Sequence, residues 1–155
     1  MSEHLKISLD YHGVIDNDIT YWREFCLSAH SRGHSIYIIS GGPQVLIRAK
    51  LAQNRIIYDN LWCILDYCLS LKQIKMLSDG NLIIPDISWN SVKGYLCAQS
   101  NIDLHIDDSK IYRSYFQTPF CLYNKKQHYC LLNGFRYDFS IPPQRLLDLI
   151  EEALF

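Results

Sequence analysis

The sequence predicts a single α/β domain over residues 1–155, with a mainly parallel sheet and helices on both faces in a three-layer, Rossmann-like arrangement. Three observations predict it. Short apolar runs alternate along the chain with segments of helical periodicity, the signature of successive βαβ units. The run Ser35-Ile-Tyr-Ile-Ile39 is apolar without alternation, as suits a strand covered on both faces. A chain of 155 residues, 48% hydrophobic and 20% charged, has the composition of one globular core.

The elements follow in order. Leu5–Leu9 alternates and runs into Asp10, so it reads as the first strand. Trp22, Phe25, Cys26 and Ala29 recur at helical spacing over 18–30, with Asp18 or Thr20 as cap and Gly33 as the C′ residue. The second strand, 35–39, meets Ser40-Gly41-Gly42-Pro43, and Pro43 fits the first position of a helix to about Asn54. A further helix is expected over 61–71, then a short strand or hairpin flanking the turn Ser78-Asp79-Gly80-Asn81. Asn90 or Ser91 caps a helix through Ala98, which places Lys93 in its first turn. Strands are expected at 102–106 and 119–123, and a hairpin over 129–139 around Asn133-Gly134. Pro142 or Pro143 opens a last helix with Leu146, Leu147, Ile150 and Leu154 inward.

The composition excludes several classes. Net charge is −1 and no Lys/Arg-rich run occurs, so duplex nucleic acid is not an expected partner. No apolar run is long enough to span a bilayer, and the N-terminus lacks the apolar stretch of a signal peptide. The six cysteines form no CxxC pair and sit in apolar segments, which reads as buried free thiols in a cytoplasmic protein. His30, His34 and His128 read as surface residues, and His105 as a packed or hydrogen-bonded core residue.

Polar residues fall at strand ends. The first strand ends in Asp10, the second in Ser40 and a later one in Asp107-Asp108. In an open parallel sheet ligands bind beyond the carboxyl ends of the strands, so these residues are expected to meet in one crevice. Carboxylates gathered there repel one another, and a hard divalent cation with oxygen ligands relieves the repulsion; that chemistry selects magnesium. Gly13, Gly41 and Gly42 leave backbone N–H groups open to a phosphate, and the helix starting at Pro43 points its positive end the same way. A cation at Lys93, in a helix first turn, opposes the helix dipole, and a bound anion offsets that cost.

With those residues set out, the sequence resembles the haloacid dehalogenase (HAD) superfamily. Ile7-Ser-Leu-Asp10-Tyr-His12-Gly13-Val14-Ile15 is similar to its first motif, Asp-x-Asp-Gly-Val/Thr after an apolar strand. Ile36–Ser40 with Gly41 and Gly42 is similar to the second, and Lys93 followed by Asp107-Asp108 to the third and fourth. The resemblance runs from Leu5 to Ser109 in the family's order. It implies a HAD-type phosphatase with little or no cap, because the cap insertion sites are short here. Asp10 is then the nucleophile that forms an aspartyl-phosphate and a magnesium ligand, together with the main-chain carbonyl of His12 and with Asp108; Asp107 orients the metal water or Lys93. Ser40 and Lys93 hold phosphate oxygens.

His12 departs from the family pattern, which has Asp at that position as acid and base. An imidazole titrates near neutrality and can take both roles. The expected activity is therefore magnesium-dependent hydrolysis of a small phosphorylated metabolite or nucleotide. The alternative is a phosphate- and metal-binding module that turns over poorly. Lys72 or Lys75 is a second source for the motif cation, and Asp16 and Asp18 read as caps, Asp16 alternatively lining the entrance. The aromatic-rich stretch 112–139 offers a face for a homo-oligomer.

Overall fold

The computed structural model describes residues 3–72, 75–76, 79–80, 82–124, 126, 129–132, 135–138 and 141–155. Strand β1 (Lys6–Leu9) lies at the centre of the five parallel strands of a seven-stranded sheet. Its neighbours are β2 (Ser35–Ser40) and, across the chain reversal, β6 (Leu104–Asp107). Beyond them lie β3 (Asn60–Cys63) on one side and β7 (Phe120–Asn124) on the other, all five strands parallel. The hairpin β8 (Tyr129–Leu132) and β9 (Phe135–Asp138) extends the β7 edge antiparallel. The expected turn residues Asn133 and Gly134 lie outside the described residues.

Helices cover both faces. On one, α1 (Ile19–Ser31), α2 (Gln44–Gln53) and α5 (Pro143–Leu154) bury Trp22, Phe25, Ile47, Leu51, Leu147 and Ile150 against Ile7, Leu9 and Ile38. On the other, α3 (Ile64–Ser70) and α4 (Asp86–Gln99) enclose Ile39, Ile64, Cys68, Val92 and Cys97. Each such fully buried side chain contributes roughly 1.5–3 kcal/mol. Between α3 and α4 the short strands β4 (Lys75–Met76) and β5 (Leu82–Ile83) pair antiparallel around the Asp79-Gly80 turn, a separate two-stranded hairpin as expected; Ser78 and Asn81 lie outside the described residues. No helix among the described residues is long and apolar enough to cross a membrane.

Capping chemistry sets the ends of α1. Asp18 accepts the Tyr21 N–H at 3.1 Å, and at the other end Gly33, at φ +86°, lets its own N–H and that of His34 return to the carbonyls of His30 and Ala29.

Five expectations are corrected. The segment 61–71 is not all helix: Asn60–Cys63 is strand β3 and turns into α3 without a linker, so no turn residue marks the boundary. Helix α4 starts at Asp86, with Pro85 as its cap residue, so Lys93 lies in mid-helix and the dipole penalty expected of it does not arise. Pro43 is the cap of α2 rather than its first residue, its carbonyl accepting the N–H groups of Leu46 and Ile47. His34 is buried, accepting the Leu5 N–H on Nδ1 and bonding Glu151 through Nε2 at 2.7 Å; three elements meet there, which local sequence does not show. Cys26, Cys63, Cys68 and Cys97 are buried free thiols, but Cys121 is disulfide-bonded. The Cys130 side chain lies outside the described residues.

Candidate phosphate and metal site

The chain reverses its direction across the sheet between β1 and β6, and the polar residues collect at the carboxyl ends of those two strands. Asp10 follows β1, and its N–H donates to the Ile106 carbonyl at 3.0 Å, continuing the ladder by one residue. That bond fixes Asp10 beside Asp107, the last residue of β6. Asp10, Asp107 and Asp108 offer carboxylate oxygens within 4.8 Å of one another. Asp10 and Asp107 are buried, and Asp108 is half-buried. Gly13 is what lets Asp108 reach in: a Cβ on Gly13 would stand 2.1 Å from Asp108 Oδ2, and the residue has φ +87°.

Lys93 supplies the cation. From the middle of α4 it extends to the sheet rim with 1% of its side chain exposed, 2.7 Å from Asp107 Oδ2 and 3.3 Å from Asp10 Oδ1. Its ammonium also lies 4.4 Å from the centre of the Tyr112 ring. Tyr112 belongs to a 3-10 segment, Lys110–Tyr115, that packs against α4 because Gly94 has no side chain. A Cβ there would meet the Tyr115 carbonyl oxygen at 2.3 Å.

One ammonium serves two buried carboxylates, and geometry decides which of them it satisfies. Burial works to raise Asp107, but His105 Nε2 at 2.9 Å and Lys93 both bond Oδ2, the Ser109 N–H bonds Oδ1, and the carboxyl is held down at about 2. Asp10 has the longer Lys93 contact at 3.3 Å and the nearby Ser40 hydroxyl. Burial pushes it up to about 7, Lys93 pulls it down, and the charges of Asp107 and Asp108 raise it further. The same two carboxylates outweigh the burial of Lys93 and hold its ammonium well above the ordinary lysine range. At neutral pH the cluster therefore carries more negative charge than Lys93 offsets, which suits a hard dication.

Ser40 ends β2 with its Oγ fully buried and without a hydrogen-bond partner in good geometry among the described residues. It lies near enough to Asp10 for its hydroxyl to favour the ionised carboxylate. A buried hydroxyl of this kind is costly unless something accepts its proton. Trp89 stands over Gly41, 3.4 Å from where a Cβ would be, and its Nε1 donates to Tyr112 at 3.3 Å, so these two aromatics wall the site above Lys93. The Cys63 thiol at the end of β3 is pushed up to about 12 by burial and is no nucleophile at neutral pH.

Two expected features take a different form. The start of α2 is not an open anion site: the Gln44 N–H already donates to Asp66 Oδ2 at 2.8 Å, and Gly42, at φ +106°, lies against Cys63 and Asp66. The carboxylate arrives there because α3 begins directly after β3. The His12 ring, half exposed, turns to Asp16, with Nδ1 3.1 Å from Oδ2, while Asp16 Oδ1 accepts the Gly13 N–H at 2.6 Å.

Sequence reasoning brought together Asp10, Ser40, Lys93, Asp107 and Asp108. It missed Asp66 and Tyr112; His105 is the hydrogen-bonded core residue expected, with Nδ1 2.6 Å from Ser8 Oγ, but its bond to Asp107 was not foreseen. The pairing of His105 with Asp107, two apart on one strand and hence on one face, was the available signal. No protein-family model matches the chain, and no curated protein matches it.

Proposed function

We propose that the chain is a magnesium-dependent phosphomonoester hydrolase of HAD type, with the β4–β5 hairpin region as a minimal cap, acting on a small phosphorylated metabolite or nucleotide. One observation carries the proposal. A buried carboxylate, Asp10, lies at the switch point of a parallel sheet beside a buried ammonium, two further carboxylates and an unpartnered buried hydroxyl. That set supplies a nucleophile, a cation for the developing charge, oxygens for a hard metal and a donor to a phosphoryl oxygen.

Asp10 and Asp108, with the His12 main-chain carbonyl, would hold the ion, since both carboxylate oxygens of Asp107 are already bonded. Magnesium when bound keeps Asp10 ionised and neutralises phosphoryl oxygens. The ionised oxygen of Asp10 attacks phosphorus, the P–O bond to the leaving alcohol breaks, and an aspartyl-phosphate results. Lys93 and Ser40 bind the phosphoryl oxygens as charge redistributes. His12 gives a proton to the leaving oxygen and then takes one from the water that releases orthophosphate and regenerates Asp10.

Hydrolysis of p-nitrophenyl phosphate with and without magnesium tests this. Turnover that requires magnesium and is abolished in Asp10→Asn is expected. Equal turnover in that variant refutes the assignment.

A further inference from the structure

A cavity of about 220 Å³ opens next to the cluster, lined by Asp108, Lys110, Leu122, Tyr123, Asn124 and Lys126. It lies at the same rim of the sheet. Leu122 is the register partner of Asp107, so the cavity begins one strand over from the carboxylates, about 5 Å away. Asp108 belongs to both: one residue joins the candidate metal cluster to the cavity wall. Asn17 Nδ2 donates to the Tyr123 hydroxyl at 2.8 Å, which ties this wall of the cavity to the segment after β1.

The charge of the cavity differs from that of the cluster. Lys110 follows β6, and Lys126 follows β7, where its N–H donates to Asn124 Oδ1 at 3.1 Å in a turn that fixes its backbone over the strand end. Both lysines are exposed. The chain has net charge −1 and no basic run, so two lysines from separate segments lining one cavity form a local positive site beside three aspartates. The volume is also informative. It falls below the roughly 300–1,000 Å³ of pockets that take drug-sized ligands and suits one compact polar group.

We propose that this cavity binds a second acidic group on the substrate, a carboxylate or a second phosphate, carried a few bonds from the phosphate that Asp10 attacks. This rests on the phosphomonoesterase reading of the site and narrows it: the substrate carries an acidic tail, as a small phosphorylated acid or a bisphosphate does. The leaving part of the ester crosses from the cluster, past Asp108, to Lys110 and Lys126. The two lysines therefore determine specificity through the tail of the substrate.

Non-hydrolysable ligands test the proposal by calorimetry on the full chain in magnesium. Propylphosphonate has no acidic tail, 3-phosphonopropionate has a carboxylate, and propane-1,3-diphosphonate a second phosphonate. The acidic-tailed ligands are expected to bind about tenfold more tightly than propylphosphonate, a gap of about 1.4 kcal/mol. The gap shrinks at high salt because the lysines are exposed. In Lys110→Gln/Lys126→Gln the ratio falls to near one. Comparing the two acidic ligands in the wild type identifies which tail the cavity takes. A ratio near one in the wild type, with propylphosphonate binding, overturns the cavity proposal alone; so does a ratio that survives the double substitution. A ratio that behaves as expected without Asp10-dependent hydrolysis leaves the cavity standing and defeats the catalytic reading. Absence of binding by all three ligands defeats both.

Discussion

The Lys93 ammonium lies 2.7 Å from Asp107 and 3.3 Å from Asp10, so one buried cation is shared by two buried carboxylates of unequal claim. Asp107 has His105 and the Ser109 N–H as well and keeps its charge easily; Asp10 does not. Removing the ammonium is therefore severe. Lys93→Met leaves both carboxylates buried without their cation, and breaking a buried pair in this way costs about 3–5 kcal/mol. For a domain of this length that lowers Tm by about 10 °C. The defect is expected to be largest at pH 8 and smaller at pH 5, where Asp10 is protonated and only Asp107 remains uncompensated. Thermal denaturation at the two pH values checks it; an equal loss at both contradicts the shared-cation account.

Asp10 itself makes stability depend on pH. Its folded value is about 7, against 3.8 as the ordinary value, so between those limits the unfolded chain ionises first and folding is penalised as pH rises. The penalty is absent below about pH 4 and complete above about pH 7. Asp107 acts outside that window: held at about 2, it stabilises the fold at every pH above its ordinary value and ceases to do so only as pH falls toward 2. Asp10→Asn removes the Asp10 penalty. Urea unfolding of metal-free protein should show the variant gaining on the wild type from pH 4 to 7, by on the order of 3–4 kcal/mol at the top of the range. Magnesium added to the wild type should reverse the trend, stabilising it more at pH 8 than at pH 5.

Much of this arrangement was legible because polar residues interrupt apolar runs at strand ends. Asp10, Ser40 and Asp107 each stand where a run of buried residues stops, and strand order alone brings such ends together. Lys93 was placed at the right site for the wrong reason. Asn90 and Ser91 look like caps, but Pro85 and Asp86 begin α4 earlier, and the cation is held by Asp10 and Asp107 rather than by an offset dipole. Contacts made between elements left no local trace. Asp66 reaches Gln44, and Tyr112 reaches Lys93, only because β3 runs directly into α3 and the 3-10 segment packs on α4.

That last packing contact is testable through Gly94. A methyl there would stand 2.3 Å from the Tyr115 carbonyl oxygen, backbone that cannot give way without moving the 3-10 segment. Gly94→Ala gains up to about 1 kcal/mol of helix propensity. Overpacking costs about 1–3 kcal/mol, and the contact is too short for the lower end to apply, so a net loss of about 1–2 kcal/mol is expected. Displaced Tyr112 should also leave Lys93, so magnesium-supported activity should fall more than stability alone explains. Denaturant unfolding together with steady-state kinetics checks both, and a stabilised, fully active variant rules out the close approach.

His12 carries the question of turnover. A carboxylate only accepts hydrogen bonds, so the 3.1 Å contact with Asp16 Oδ2 places a proton on His12 Nδ1, and Nε2 donates in the imidazolium and accepts in the neutral ring. Asp16 is itself anchored by the Gly13 N–H. If Nε2 works as acid and base, the cost of losing it depends on the leaving group. An alkyl phosphate needs its departing oxygen protonated; nitrophenolate leaves without help. His12→Ala should therefore slow alkyl phosphates by about 10²–10⁴. With p-nitrophenyl phosphate it should release one rapid equivalent of nitrophenolate and then turn over slowly, because the aspartyl-phosphate lacks its base. Asp16→Asn should show a weaker form of the same pattern. His12→Asp decides between the enzyme and a poorly active binding module: slower turnover means the imidazole is the working group, and faster turnover means the histidine holds back a site that otherwise binds metal and phosphate.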